Sequence, residues 1–143
     1  TMEATTCPCG SYTDPRRACR CKPTEIRKWV AAKLKPLANV AMIHLEVPPA
    51  TTCELLSKRR GSTLHDALDQ INRATPITNV SDKLGETSNM VLKQAITELG
   101  LSAGSVATIR STARSIAALA GDKVIRVEHV LEAIQYRRLD RSM

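Results

Sequence analysis

Cys7-Pro8-Cys9 and Cys19-Arg20-Cys21 place four thiols within fifteen residues, as two C-x-C pairs separated by nine residues. Thiolates are soft ligands, and four of them complete the tetrahedral shell of a zinc ion at about 2.3 Å each. Between the pairs runs Gly10-Ser11-Tyr12-Thr13-Asp14-Pro15-Arg16-Arg17. This is turn chemistry, in which Gly admits a positive φ and Asp-Pro starts a bend. A polar loop with thiols at both ends suits a metal ion better than a hydrophobic core. Cys7, Cys9, Cys19 and Cys21 are therefore the candidate ligands of a structural zinc. Arg16, Arg17, Arg20 and Lys22 would offset the formal charge of about −2 on such a centre and lower the thiol pKa values. The C-x-C spacing is tighter than the usual zinc knuckle. Unpaired thiols, or two disulfides, stand beside the metal reading, and disulfides would need an oxidising compartment. Cys53 stands apart in an apolar helical context and is expected to be a small buried residue. His44, His65 and His129 are dispersed, and no nucleophile–base pair or carboxylate pair points to catalysis within this chain.

The elements that must position these thiols are limited by composition. At 143 residues the chain suits one domain, or a small domain with an appendage. Trp29, Tyr12 and Tyr136 are its whole aromatic stock, with no Phe. The core must then be built from Leu, Ile, Val and Ala, which suits packed helices. The net charge of +7 favours polyanionic partners such as nucleic acid or nucleotide. It concentrates at 16–35, at 58–60 and at Arg137, Arg138 and Arg141. The shortage of aromatics argues against a stacking platform for single strands. No run of eighteen apolar residues exists, so no membrane span is expected. No charged start followed by an apolar segment is present, and a cytoplasmic location is expected. Thr1-Met2-Glu3 runs straight into the cysteine loop, and the chain reads as a piece of something longer.

Pro23 fits a first helical turn, with Ile26, Trp29, Val30 and Leu34 following at helical spacing and Pro36 ending the helix. Over 40–47, Ile43, Leu45 and Val47 alternate with His44 and Glu46, which predicts a strand closed by Pro48-Pro49, with His44 facing solvent. Everything after that is expected to be helical. Thr51-Thr52-Cys53-Glu54 has capping-box spacing, and Lys58-Arg59-Arg60-Gly61 supplies the stop. Ser62 is the expected cap of a helix carrying Leu64, Leu68 and Ile71, broken at Thr75-Pro76. A short turn or single helical turn follows over 79–84. A helix over 88–99 turns Val91, Leu92, Ala95, Ile96 and Leu99 inward and stops at Gly100. Ser102 caps the longest helix, with Val106, Ile109, Ala113, Ile116 and Ala120 at steps of three and four and Gly121 at its end. The small residues Ala113, Ala117 and Ala120 permit close helix approach. Val127, Val130, Leu131 and Ile134 make the last helix. A single strand leaves its backbone groups needing a sheet partner, so the sheet is expected to belong to other sequence.

Three groups of strings carry a resemblance. They are Cys7-Pro8-Cys9-Gly10 with Asp14-Pro15-Arg16-Arg17-Ala18-Cys19-Arg20-Cys21, then Ile43-His44-Leu45-Glu46-Val47-Pro48, then Leu99-Gly100-Leu101-Ser102-Ala103 with Ala113-Arg114-Ser115-Ile116-Ala117 and Glu132-Ala133-Ile134-Gln135-Tyr136-Arg137. Together they resemble the C-terminal part of the magnesium-chelatase-like AAA+ ATPases of the ComM/YifB type. The resemblance implies a mainly α chain: a helical lid bundle over 49–143, preceded over 1–48 by the end of the α/β core with its cysteine loop, one helix and a last core strand. It implies a parent protein that forms a homo-oligomeric ring, uses ATP and magnesium, and acts on DNA, as in branch migration.

The chain departs from that pattern at several places. It has no G-x-x-x-x-G-K-[ST], so nothing in it cradles ATP phosphates. Thr5 stands where the family has a sensor asparagine. Val40 aligns with an arginine that would face a neighbour's ATP, a role Val cannot fill. Gly104 aligns with an arginine at the start of the long lid helix. Arg114 is retained and reads as an exposed helix arginine. The competing readings are a stand-alone zinc module that binds DNA through the basic residues around the thiols, and a structural interaction domain.

Overall fold

The computed structural model describes residues 1–58, 61–74 and 80–141. The expected mainly helical class holds. The first helical stretch is α1 (Pro23–Trp29), a π-helical segment (Val30–Leu34) and α2 (Lys35–Val40), run together. Pro36 therefore does not end the helix. Its missing N–H and its ring disturb the ladder one turn earlier. The chain meets this by widening the turn, and the Lys35 N–H bonds to the Val30 carbonyl five residues back. The stretch continues to Val40, so the strand predicted over 40–47 begins inside a helix. Residues 41–50 form neither helix nor ladder. Alternation alone cannot make a strand without a neighbour to take its N–H and C=O groups. Among the described residues no strand pairs with this segment, and its His44 N–H bonds instead to the Tyr136 carbonyl at 2.8 Å.

Helix α3 (Thr52–Leu56) begins with the expected capping box: Thr51 Oγ1 accepts the Glu54 N–H at 3.2 Å, and Glu54 Oε2 accepts the Thr51 N–H at 2.7 Å. It ends at Leu56, before the basic run. The expected stop at Arg59-Arg60, the break at Thr75-Pro76 and the start at Asn79 lie outside the described residues. Helix α4 (Leu64–Ala74) is capped by Thr63 rather than Ser62, with Asp66 returning the bond. It packs against the later α6 (Ala103–Ala120) but leaves Leu64, Leu68 and Ile71 exposed.

The turn expected over 79–84 is instead a strand, β1 (Ser81–Leu84). It pairs in parallel with β2 (Val124–Ile125), in the register Ser81 with Val124 and Leu84 with Ile125. Parallel strands need a crossover, and here it consists of α5 (Glu86–Leu99) and α6. Both helices stop as the sequence predicts, at Gly100 (φ +61°) and Gly121 (φ +82°), where the left-handed conformation favours glycine. Ser102 caps α6 by accepting the Ser105 N–H at 3.1 Å. Helices α7 (Val127–Gln135) and α8 (Arg138–Arg141) close the fold. The core lies where α5, α6 and α7 meet, and includes Leu92, Ala95, Ile109, Ala113, Ala117, Val130 and Ile134. Ile109, Ala113 and Ala117 are fully buried, so the small residues of α6 bring its backbone close to α7. No helix among the described residues is long and apolar enough to cross a membrane.

Candidate metal centre

The cysteine loop is shaped by its own turns. Gly10 takes φ +75°, and its N–H returns to the Cys7 carbonyl at 3.1 Å. Asp14 starts the second bend: its Oδ1 accepts the Arg16 N–H at 2.8 Å, and its carbonyl accepts the Arg17 N–H at 3.3 Å. The Arg16 N–H, helped by the Arg16 guanidinium, holds the Asp14 carboxyl below its usual range. Thr5 Oγ1 donates to the Cys7 carbonyl at 3.0 Å. Two longer ties fix the loop to its surroundings. Trp29 Nε1 donates to the Thr5 carbonyl at 2.9 Å, and Arg16 Nη1 donates to the Ala50 carbonyl at 3.2 Å.

These turns bring all four predicted ligands together. The sulfurs of Cys7, Cys9, Cys19 and Cys21 lie within 4.8 Å of one another. Cys7 to Cys9 is 3.4 Å, Cys9 to Cys19 is 3.6 Å and Cys7 to Cys19 is 3.8 Å. A disulfide would hold two sulfurs at about 2.05 Å, and all five cysteines are free. A tetrahedron with zinc–sulfur bonds of about 2.3 Å has edges of about 3.8 Å. The donor set thus fits a tetrahedral metal ion in chemistry and in size. Cys7 is fully buried, Cys19 and Cys21 are half-buried, and Cys9 is exposed.

The electrostatics point the same way. Backbone N–H groups of Ser11 and Arg20 face the Cys9 sulfur and lower its pKa to about 6. Cys21 accepts the Cys9 N–H, which acts downward. Desolvation and the neighbouring Cys9 and Cys19 sulfurs outweigh it and push Cys21 up to about 12. Cys19, facing the Cys21 N–H, is likewise raised by desolvation and by Cys9 and Cys7. The loop thus favours the charged form at Cys9 and disfavours it at Cys19 and Cys21, and a divalent ion would offset the repulsion that a set of thiolates meets here.

Other candidates fall elsewhere. Cys53 is exposed, not buried, because α3 is one short turn that buries none of its residues. His65 is exposed beside Asp69. His129 is buried, its Nδ1 accepting the Arg126 N–H at 3.1 Å. Thr5 serves the loop, Val40 is 74 % exposed at the end of α2, and Gly104 opens α6. Arg114 is exposed and faces Asp82 at 3.4 Å.

Sequence reasoning missed the residue that joins the two parts of the chain. Arg137, which the sequence presents as surface charge, is only 5 % exposed. Its Nη1 donates to the Ala41 carbonyl at 2.6 Å and its Nη2 to the Ala38 carbonyl at 3.2 Å. Both carbonyls sit at the end of α2. Asp140 takes bonds from Nε and Nη2, each at 2.9 Å. His44, expected to face solvent, is buried in this seam, with Nε2 3.2 Å from the Ala41 carbonyl and 3.3 Å from Arg137 Nη1. The one legible signal was Asp140, three residues after Arg137, the spacing of a helical ion pair.

A family model described as magnesium chelatase, subunit ChlI C-terminal, matches residues 50–137. The chain belongs to the magnesium chelatase ChlI C-terminal family. The ChlI C-terminal region begins at Ala50, whose carbonyl holds Arg16, and ends at Arg137, which holds Ala38 and Ala41. The cysteine loop, α1 and α2 lie outside it and are fastened to its first and last residues. No curated protein and no solved structure matches the chain.

Proposed function

We propose that this chain is the lid and core-end portion of a magnesium-chelatase-like AAA+ ATPase of the ComM/YifB type. On this reading 1–48 ends the α/β core and 49–143 is the helical lid. The parent protein is a cytoplasmic homo-oligomeric ring that uses ATP and magnesium to move DNA. Cys7, Cys9, Cys19 and Cys21 hold a structural zinc, which fixes the shape of the loop and does no chemistry on a substrate.

The observation that carries this reading is the seam at Arg137. It ties the thiol-bearing segment to the end of the family domain, so a movement of the helical part is transmitted to the loop. The absence of a P-loop sequence puts ATP binding in another part of the parent protein. The isolated chain is therefore expected not to hydrolyse ATP, and turnover above background that responds to substitution within these residues would overturn that.

Native mass spectrometry of the reduced protein, with and without a chelator, tests the metal. The expected result is one zinc per chain, bound with loss of four protons. Metal-free protein with five free thiols would sink the zinc assignment. A second reading, a stand-alone zinc module that binds DNA, is favoured by one observation: the basic residues crowd around the thiols.

A further inference from the structure

Residues 14–35 hold eight of the 21 basic residues and only two of the 14 acidic ones, and so six of the seven net positive charges. All eight cations are exposed. Arg16 pairs with Asp14 at 3.3 Å. Among the described residues, Arg17, Arg20, Lys22, Arg27, Lys28 and Lys35 pair with no carboxylate. Lys33 lies over the Trp29 ring, 6.0 Å from its centroid. Elsewhere among the described residues Arg114–Asp82, Arg126–Asp122 and Arg137–Asp140 pair, and the unpaired lysines, such as Lys93 and Lys123, are scattered and not gathered on one segment. A four-thiolate zinc centre would remove about two of the excess charges, which leaves about four.

The geometry points to a docking surface for the phosphate backbone of duplex nucleic acid, formed by the cysteine loop and α1. Arg17 and Arg20 flank a cleft with Cys9, Ser11 and Ala18. Planar guanidinium groups suit phosphate oxygens. From Lys22 to Lys35 the helix runs about 20 Å at about 1.5 Å per residue. Duplex DNA presents about a dozen charges over that length, at about one per 1.7 Å. A single strand would ask for aromatic platforms, and Tyr12 is the one exposed aromatic on the loop. An anionic membrane would ask for an apolar face among the cations. Leu34 is buried, and Ile26, Trp29 and Val30 are half-buried. The surface reads backbone charge and not sequence.

This inference rests on the reading of the cysteine loop as a metal-fixed projection, and the two fail separately. Fluorescence anisotropy with a labelled mixed-sequence duplex over a salt series measures the affinity. The double variant Arg27→Glu/Lys28→Glu changes two exposed charges of α1 that touch no thiol, and circular dichroism checks its fold. For every phosphate that the variant no longer neutralises, binding should weaken roughly tenfold at about 0.1 M salt, and the log–log salt slope should fall by about 0.9. The control Lys93→Glu/Lys123→Glu, with the same charge change on the helical part, should bind within about threefold of the parent chain. Three results would overturn the inference: no affinity for duplex, equal weakening by both double variants, or tighter binding to anionic vesicles or single strands than to duplex. Zinc stoichiometry is measured on the same samples. Zinc-loaded protein that ignores duplex overturns this inference alone. Metal-free protein that still binds duplex through Arg27 and Lys28 supports it and overturns the zinc assignment.

Discussion

Arg137 and the four clustered cysteines differ in how much of their role can be read locally. The cysteines advertise themselves, because thiols at C-x-C spacing around a Gly and an Asp-Pro bend are a complete chemical unit within fifteen residues. Arg137 does not, because its carbonyl partners Ala41 and Ala38 are 96 and 99 positions away. For the same reason His44 could not be placed, since two of its partners, Tyr136 and Arg137, come from the far end of the chain. A buried guanidinium must find acceptors for its N–H groups, and these come from Asp140 and from the end of α2. Arg137→Ala leaves Asp140, 12 % exposed, as an unpaired carboxylate. It should cost about 3–5 kcal/mol, as breaking a buried ion pair does. Arg137→Lys, which keeps the charge but loses the fork, should fall between the parent chain and Arg137→Ala. Urea titrations of the three proteins check this, and a midpoint unchanged in Arg137→Ala would remove the seam from the account. At the cluster itself, Cys7→Ser should abolish metal uptake and disorder the loop while the helical part keeps its circular dichroism.

At the level of elements, caps and stops were legible and pairings were not. Ser102, Gly100 and Gly121 mark boundaries by local geometry. Ser81-Asp82-Lys83-Leu84 has no strand pattern and reads as a turn, and only β2, forty residues on, makes it a strand. The reverse holds over 40–47, where a good pattern lacks a partner. Pro36 misleads because a helix can absorb a proline by widening one turn. Acid tests the caps. The Glu54 carboxyl is held below its usual range by the Thr51 N–H and hydroxyl, and Asp66 likewise by those of Thr63. A depressed carboxyl stabilises above its unfolded pKa, about 4.3 for Glu and 3.9 for Asp. That contribution is lost as pH falls through the lower folded value. Amide exchange in the first turn of α4 should therefore accelerate below about pH 4 relative to α6, whose Ser102 cap does not titrate. Equal protection of the two helices across that range would contradict the cap's role.

The molecule as a whole was legible in class. A chain with no Phe and periodic Leu, Ile, Val and Ala had to pack helices, and it does. What could not be read was which apolar stripe is core. Leu64, Leu68 and Ile71 have the spacing of a buried face and are exposed, whereas Ile109, with no better pattern, is fully buried. Ile109→Ala should destabilise by about 2–5 kcal/mol, because its neighbours on α5 and α7 cannot all close over the space. The denaturant midpoint should fall with the slope unchanged, and a loss below about 1 kcal/mol, roughly that of an Ile→Val change, would place the core elsewhere.

The bond from Trp29 to Thr5 gives this chain a property of a different kind. It has one tryptophan. That indole is fastened two residues before Cys7, outside the helical core. Ultraviolet emission therefore reports the junction of the cysteine loop with α1, and far-ultraviolet ellipticity is dominated by the bundle. The two curves should superimpose on unfolding only while the parts melt together. In Arg137→Ala they should separate, with the emission changing first, so the protein carries its own optical gauge of how tightly its two halves are joined.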